Sequence, residues 1–102
     1  INHACEMETS LMLHMQEDIV NKENIIDNPL TRSTYTGVDL LAGGTVGVSA
    51  SFKELSDHGV IGSPSLATKE KGADLFEIIT NKICDFIEDF SKWKKPLNGK
   101  NE

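Results

Sequence analysis

The opening stretch Ile1-Asn2-His3-Ala4-Cys5-Glu6-Met7-Glu8-Thr9-Ser10 sets a histidine, a thiol, two carboxylates and two hydroxyls side by side. His3 is the side chain suited to exchanging protons near neutral pH, and a carboxylate such as Glu6 or Glu8 can orient it or bind a divalent metal. Cys5 would need a base and a lowered pKa to act as a nucleophile. A helix N-terminus supplies part of the second and His3 could supply the first. The same residues also fit a helix N-terminus whose carboxylates complement its dipole, with Cys5 as a small buried thiol. Elsewhere, His14 falls on an apolar face, as a core or interface histidine would. His58, beside Asp57 in a polar turn, reads as solvent-exposed. Cys84 reads as core or near-core, and Trp93 as a packing anchor or subunit contact.

The elements that must position these groups follow from periodicity. Ala4, Met7, Leu11 and His14 or Met15 recur at the spacing of one helical face, which predicts a short helix from Ala4 to about Gln16. Asn2 or His3 is expected to cap it, and Glu6 and Glu8 suit its positive end. On that helix His3 and Glu6 would share a side, with Glu8 turned away.

Residues 17 to 36 carry no sustained period and read as a loop with a short helical turn. After the glycine turn at Gly43-Gly44, Val46, Val48, Ala50 and Phe52 alternate with small polar residues, predicting a weak half-buried strand or extended edge. The Gly43-Gly44-x-x-Gly47 pattern matches no nucleotide-binding loop. Gly59, Gly62 and Pro64 punctuate the entry to the longest element, a helix from Ser65 or Thr68 to Trp93. Ala73, Phe76, Ile79, Ile83, Phe86 or Ile87, Phe90 and Trp93 alternate by threes and fours along it. Gly72, which costs about 1 kcal/mol relative to alanine within a helix, points to close backbone packing. Pro96 and Gly99 are expected to stop the helix.

The 102 residues make at most one domain with a modest core. Sixteen acidic against ten basic residues give a net charge of −6, which argues against a nucleic-acid partner. Two cysteines set nearly the whole chain apart form neither a secreted disulfide framework nor a zinc spacing, so a cytoplasmic location is expected. No run approaches the roughly 20 apolar residues of a membrane span. One weak strand cannot make a sheet, so the elements read as part of an α/β domain. The start at Ile1, almost on top of the reactive cluster, suggests a processed or truncated polypeptide.

Two segments carry a resemblance. His3-Ala4-Cys5-Glu6-Met7-Glu8-Thr9-Ser10 resembles the H-A-G-E-x-E-T-S segment of the creatininase (creatinine amidohydrolase) family. The segment from Gly59 to Gly72, GVIGSPSLATKEKG, resembles that family's closing G-V-x-G-D-P-x-x-A-T-x-E-K-G segment. The resemblance implies a three-layer α/β/α domain that commonly assembles as a hexamer. It also implies a hydrolase that opens the C–N amide bond of a small cyclic or formylated substrate with divalent ions (Zn, Mn or Fe). His3 would be the catalytic histidine and Glu8 a metal contact. Cys5 stands where the family has Gly, and Ser63 where it has Asp.

The E-x-H-G…D and N-G-H segments that supply most of the family's metal ligands do not occur in this sequence. The expectation is therefore that residues 1–102 form the C-terminal portion of one creatininase-like domain. Its partners would be the remainder of its polypeptide, a small amide substrate and further copies of itself, and it would be inactive alone. The rival expectation is a non-catalytic packing or assembly module docking through the long amphipathic helix.

Overall fold

The computed structural model describes residues 2–30, 35–37, 39 and 41–94. Helix α1 spans Glu6–Gln16, the short α2 spans Phe52–Leu55 and α3 spans Lys69–Ser91, with single 3₁₀ turns at Glu17–Ile19, Lys22–Asn24 and Pro64–Leu66. The packing of α1 on the first turns of α3 is the main tertiary interface.

α3 begins where the sequence supplies a cap, since Thr68 takes an extended conformation and its hydroxyl accepts from the Lys71 N–H. It then continues because three-four apolar spacing and helix-compatible residues persist for more than six turns. It ends at Ser91, with Lys92 as its C-cap; Pro96 and Gly99 lie outside the described residues.

α1 starts later than periodicity predicts. Its cap is Cys5, not Asn2 or His3, and the Glu8 side chain reaches back to the Cys5 N–H at 3.1 Å. Ala4 just before it has φ of 47°, a left-handed conformation costing an L-residue about 1–2 kcal/mol, so the chain turns sharply between His3 and the helix. His3 therefore lies outside α1 and the helical spacing to Glu6 does not apply. Glu6 pairs instead with Lys71 of α3, at 2.5 Å.

The core is small. Cys5, Leu13 and Ile61 are buried, with Ser10, Pro64 and Gly72 buried among them. Gly72 is where the two helices come closest, because a Cβ there would collide with the Ser10 carbonyl and the His14 Cβ. The close packing expected from this glycine is present. Ser10, wholly buried, accepts the Thr68 N–H on its hydroxyl at 3.1 Å, so the interface also fixes the α3 N-terminus.

Two expectations fail. Residues 45–50 form no strand; Val46, Val48 and Phe52 are exposed and Phe52 opens α2. Alternation alone does not make a strand when no neighbouring edge is present to take its backbone bonds. Ladder pairing among the described residues is confined to two isolated antiparallel bridges, His3 with Ile61 and Asn28 with Gly62. Cys84, expected in or near the core, is exposed, because α1 is too short to cover that part of α3.

Candidate active site

The two motif segments, more than fifty residues apart, meet at His3. Its N–H donates to the Ile61 carbonyl at 3.0 Å and its carbonyl accepts the Ile61 N–H at 2.9 Å. The next residue, Gly62, exchanges a second pair of bonds with Asn28, at 2.8 and 2.9 Å. Asn28 also donates through its side-chain amide to the Val60 carbonyl at 2.8 Å and the Leu55 carbonyl at 3.1 Å. One asparagine thus fixes the whole turn that faces His3. Sequence reading passed over it as a loop residue, since neither its spacing nor its neighbours signal a clamp.

The imidazole of His3 is exposed and held on two sides. Its Nδ1 lies 2.8 Å from the Gly59 carbonyl, which can only accept, so Nδ1 carries a proton and, in the neutral ring, the lone pair lies on Nε2. The Phe52 ring meets the imidazole edge-on at a centroid distance of 4.6 Å. Gly59 has φ of 88°, a conformation open to glycine at little cost, and this aims its carbonyl at the ring.

Behind His3, Cys5 is 1 % exposed. Its Sγ lies 3.3 Å from the Asn2 N–H, which donates to it, and 3.4 Å from Glu8 Oε2, which accepts from it. Glu8 Oε2 thereby serves both the backbone and the thiol of Cys5. The cysteine is a buried packing group, as one of the two sequence readings held, and it faces Gly62. A Cβ on Gly62 would come within 2.5 Å of the Cys5 Cβ, and Gly62 has φ of 134°. Beside this contact opens a cavity of about 240 Å³ whose walls include Asn2, Cys5, Glu6, Ile61, Gly62 and Ser63.

The other candidates lie apart from this site. His14, half-buried, packs its ring 5.4 Å from that of Phe76 across the α1–α3 interface. His58 is exposed and lies 3.5 Å from the Ser56 hydroxyl. Trp93 donates its indole N–H to Asp89 at 2.8 Å and sits against Phe86 and Phe90. No group of three His, Cys, Asp or Glu side chains that could hold a metal ion occurs among the described residues. No described helix is long and apolar enough to cross a membrane.

An exposed histidine held by its Nδ1 where two distant segments meet is a group placed to exchange protons. The chain belongs to the creatinine amidohydrolase (creatininase) family, whose sequence model matches residues 1–87. Comparison with curated proteins and with solved structures gave no match. Family membership implies amidohydrolase activity on a small molecule, an α/β fold and a general dependence on metal. The helical described portion does not itself display that sheet.

Proposed function

We propose that the chain forms the C-terminal part of a single three-layer creatininase-like domain, a metal-dependent amidohydrolase that opens a C–N amide bond in a small cyclic or formylated substrate. The observation that carries this reading is the 2.8 Å contact between His3 Nδ1 and the Gly59 carbonyl, which joins the two family segments around one imidazole. With Nδ1–H held there, Nε2 is the atom that accepts a proton as water attacks and returns it to the departing nitrogen. Phe52 limits rotation of the ring and shields one edge from water.

The described residues do not make a site for the metal ions the family implies. They hold no suitable cluster, and Glu8 spends Oε2 on the Cys5 turn. In this reading Zn, Mn or Fe would be held by the remainder of the domain, and Glu8 would touch a metal only through its second oxygen. Its first task is to fix the turn between His3 and α1. The chain alone would be inactive, and the complete protein would work in the cytoplasm as a homo-oligomer, a hexamer by family resemblance.

His3→Ala in the complete protein tests the assignment. Turnover should fall by roughly 10²–10⁴-fold, the usual range for losing a general acid–base, with metal content near normal. Unchanged turnover would remove His3 from the mechanism.

A further inference from the structure

Two groups hold the His3 imidazole, the Gly59 carbonyl at Nδ1 and the Phe52 ring at its edge, and they belong to different pieces of chain. Phe52 opens α2, a helix of four residues that is too short to persist alone. Gly59 lies in the turn that follows, next to Val60. Asn28 reaches both pieces. Its side-chain nitrogen donates one hydrogen to the Leu55 carbonyl at the end of α2 and the other to the Val60 carbonyl beside Gly59. We propose that Asn28 is the positioning residue of His3: by holding both supports of the ring, it decides which ring nitrogen carries the proton.

The task suits asparagine. Both neighbours are carbonyls that only accept, which turns the amide nitrogen toward them, and one NH₂ group carries the two donors they need. Aspartate has the same shape but would set a carboxylate against two carbonyl oxygens. The side chain also starts from a fixed base. The Asn28 backbone exchanges its two bonds with Gly62, Pro29 after it disfavours the helical region for Asn28, and Asp27 before it accepts the Ser65 N–H at 2.9 Å. Residues 27 and 28 thus grip the closing segment at Val60, Gly62 and Ser65, so the amide has little left to order when it bonds.

The consequence falls on the proton. His3 is exposed, so water competes for both ring nitrogens, and the tautomer follows the nitrogen with the better-placed partner. Glycine enters the Gly59 conformation at little cost and can leave it as readily. The bond from Asn28 to the adjoining Val60 carbonyl keeps the Gly59 carbonyl aimed at Nδ1, while the bond to Leu55 keeps Phe52 against the ring. The effect on turnover rests on the amidohydrolase reading, in which Nε2 moves the proton; the control of the tautomer by Asn28 does not.

Nitrogen NMR of the complete protein labelled with ¹⁵N-histidine tests this control without a substrate. The His3 signals are identified by their loss in H3A, and spectra are recorded well above the ordinary imidazole pKa of about 6.5, where the ring is neutral. The wild type should show Nδ1 protonated and Nε2 bare. N28D, which keeps the shape and loses the donors, should shift the tautomer ratio about fivefold toward the Nε2–H form, the effect of losing one ordinary hydrogen bond. N28A should shift it the same way and is the variant to read where N28D does not fold. The His14 signals, from the α1–α3 interface, should stay in place, which a general loss of structure would not allow. A His3 tautomer indifferent to both substitutions, one that moves only together with His14, or a wild-type ring with its proton on Nε2 overturns the proposal. Failure of the amidohydrolase reading would show separately, as unchanged turnover in H3A.

Discussion

Gly72→Ala sets two known effects against each other. Within a helix alanine is favoured over glycine by about 1 kcal/mol, so propensity alone predicts a more stable protein. At this position the new methyl would point at the Ser10 carbonyl carbon and oxygen, closer than any real contact allows, and would lie 2.9 Å from the His14 Cβ. Backbone cannot rotate away as a flexible side chain can, so α1 must shift off α3. That shift strains the packing, at about 1–3 kcal/mol, and stretches the bond from the Thr68 N–H to the buried Ser10 hydroxyl, which contributes about 1 kcal/mol. The net expectation is a loss of about 2 kcal/mol, a fall in Tm of roughly 8–16 °C for a domain of this size. Thermal unfolding by far-UV circular dichroism at fixed protein concentration reads it. The exposed position Asn81→Ala serves as the control and should change little or gain slightly. If Gly72→Ala raises Tm, propensity has won, and the close approach of the two helices is not what holds the site together.

Two further perturbations probe the same frame. Glu17, bonded to Lys22 at 2.6 Å and Lys69 at 2.9 Å, has its pKa lowered to about 2 by those side-chain hydrogen bonds, that from Lys22 foremost. A depressed carboxylate stabilises the fold above its ordinary pKa of 4.5 and loses that contribution as pH falls toward about 2. Glu17→Gln should therefore flatten the acid limb of a stability profile in that window, and an unchanged limb would refute the coupling. Lys69, whose pKa the same bond to Glu17 raises, should lose its share only as pH climbs above 10.5.

How much of this was legible beforehand depends on the range of the forces involved. α3 could be read from its spacing and its threonine cap because helix formation is local. The start of α1 could not, since its cap is an unusual residue, Cys5, completed by Glu8. The alternation at residues 45–52 misled because a strand is defined by its neighbour, and period two is silent about whether one exists. Gly72 was read correctly because an unfavourable residue in a long helix implies a steric reason. Asn28 and the facing of His3 by Ile61 were out of reach, since a bridge between distant residues leaves no periodic trace. The pairing of the two segments came from family resemblance; the contact at His3 gives it a physical form.

The substitution that separates this chain from its family pattern also supplies a test of how the site is built. Cys5 occupies a position where the family has glycine, yet its Cβ and Sγ fill the space left by the missing side chain of Gly62. The two positions therefore compete for one volume. Gly62→Ala should be severely destabilising, by more than about 2 kcal/mol, because the methyl meets the Cys5 Cβ and φ of 134° is unsuited to any residue with a Cβ. Cys5→Gly removes the steric part of that loss but not the backbone part, so the double variant should recover about half. A cycle that shows no coupling, with the two losses simply adding, would mean that Cys5 and Gly62 do not share the volume. The expected positive coupling would show that the wall behind His3 depends on the size of residue 5. That wall borders the 240 Å³ cavity, so the shape of the cavity depends on the size of residue 5.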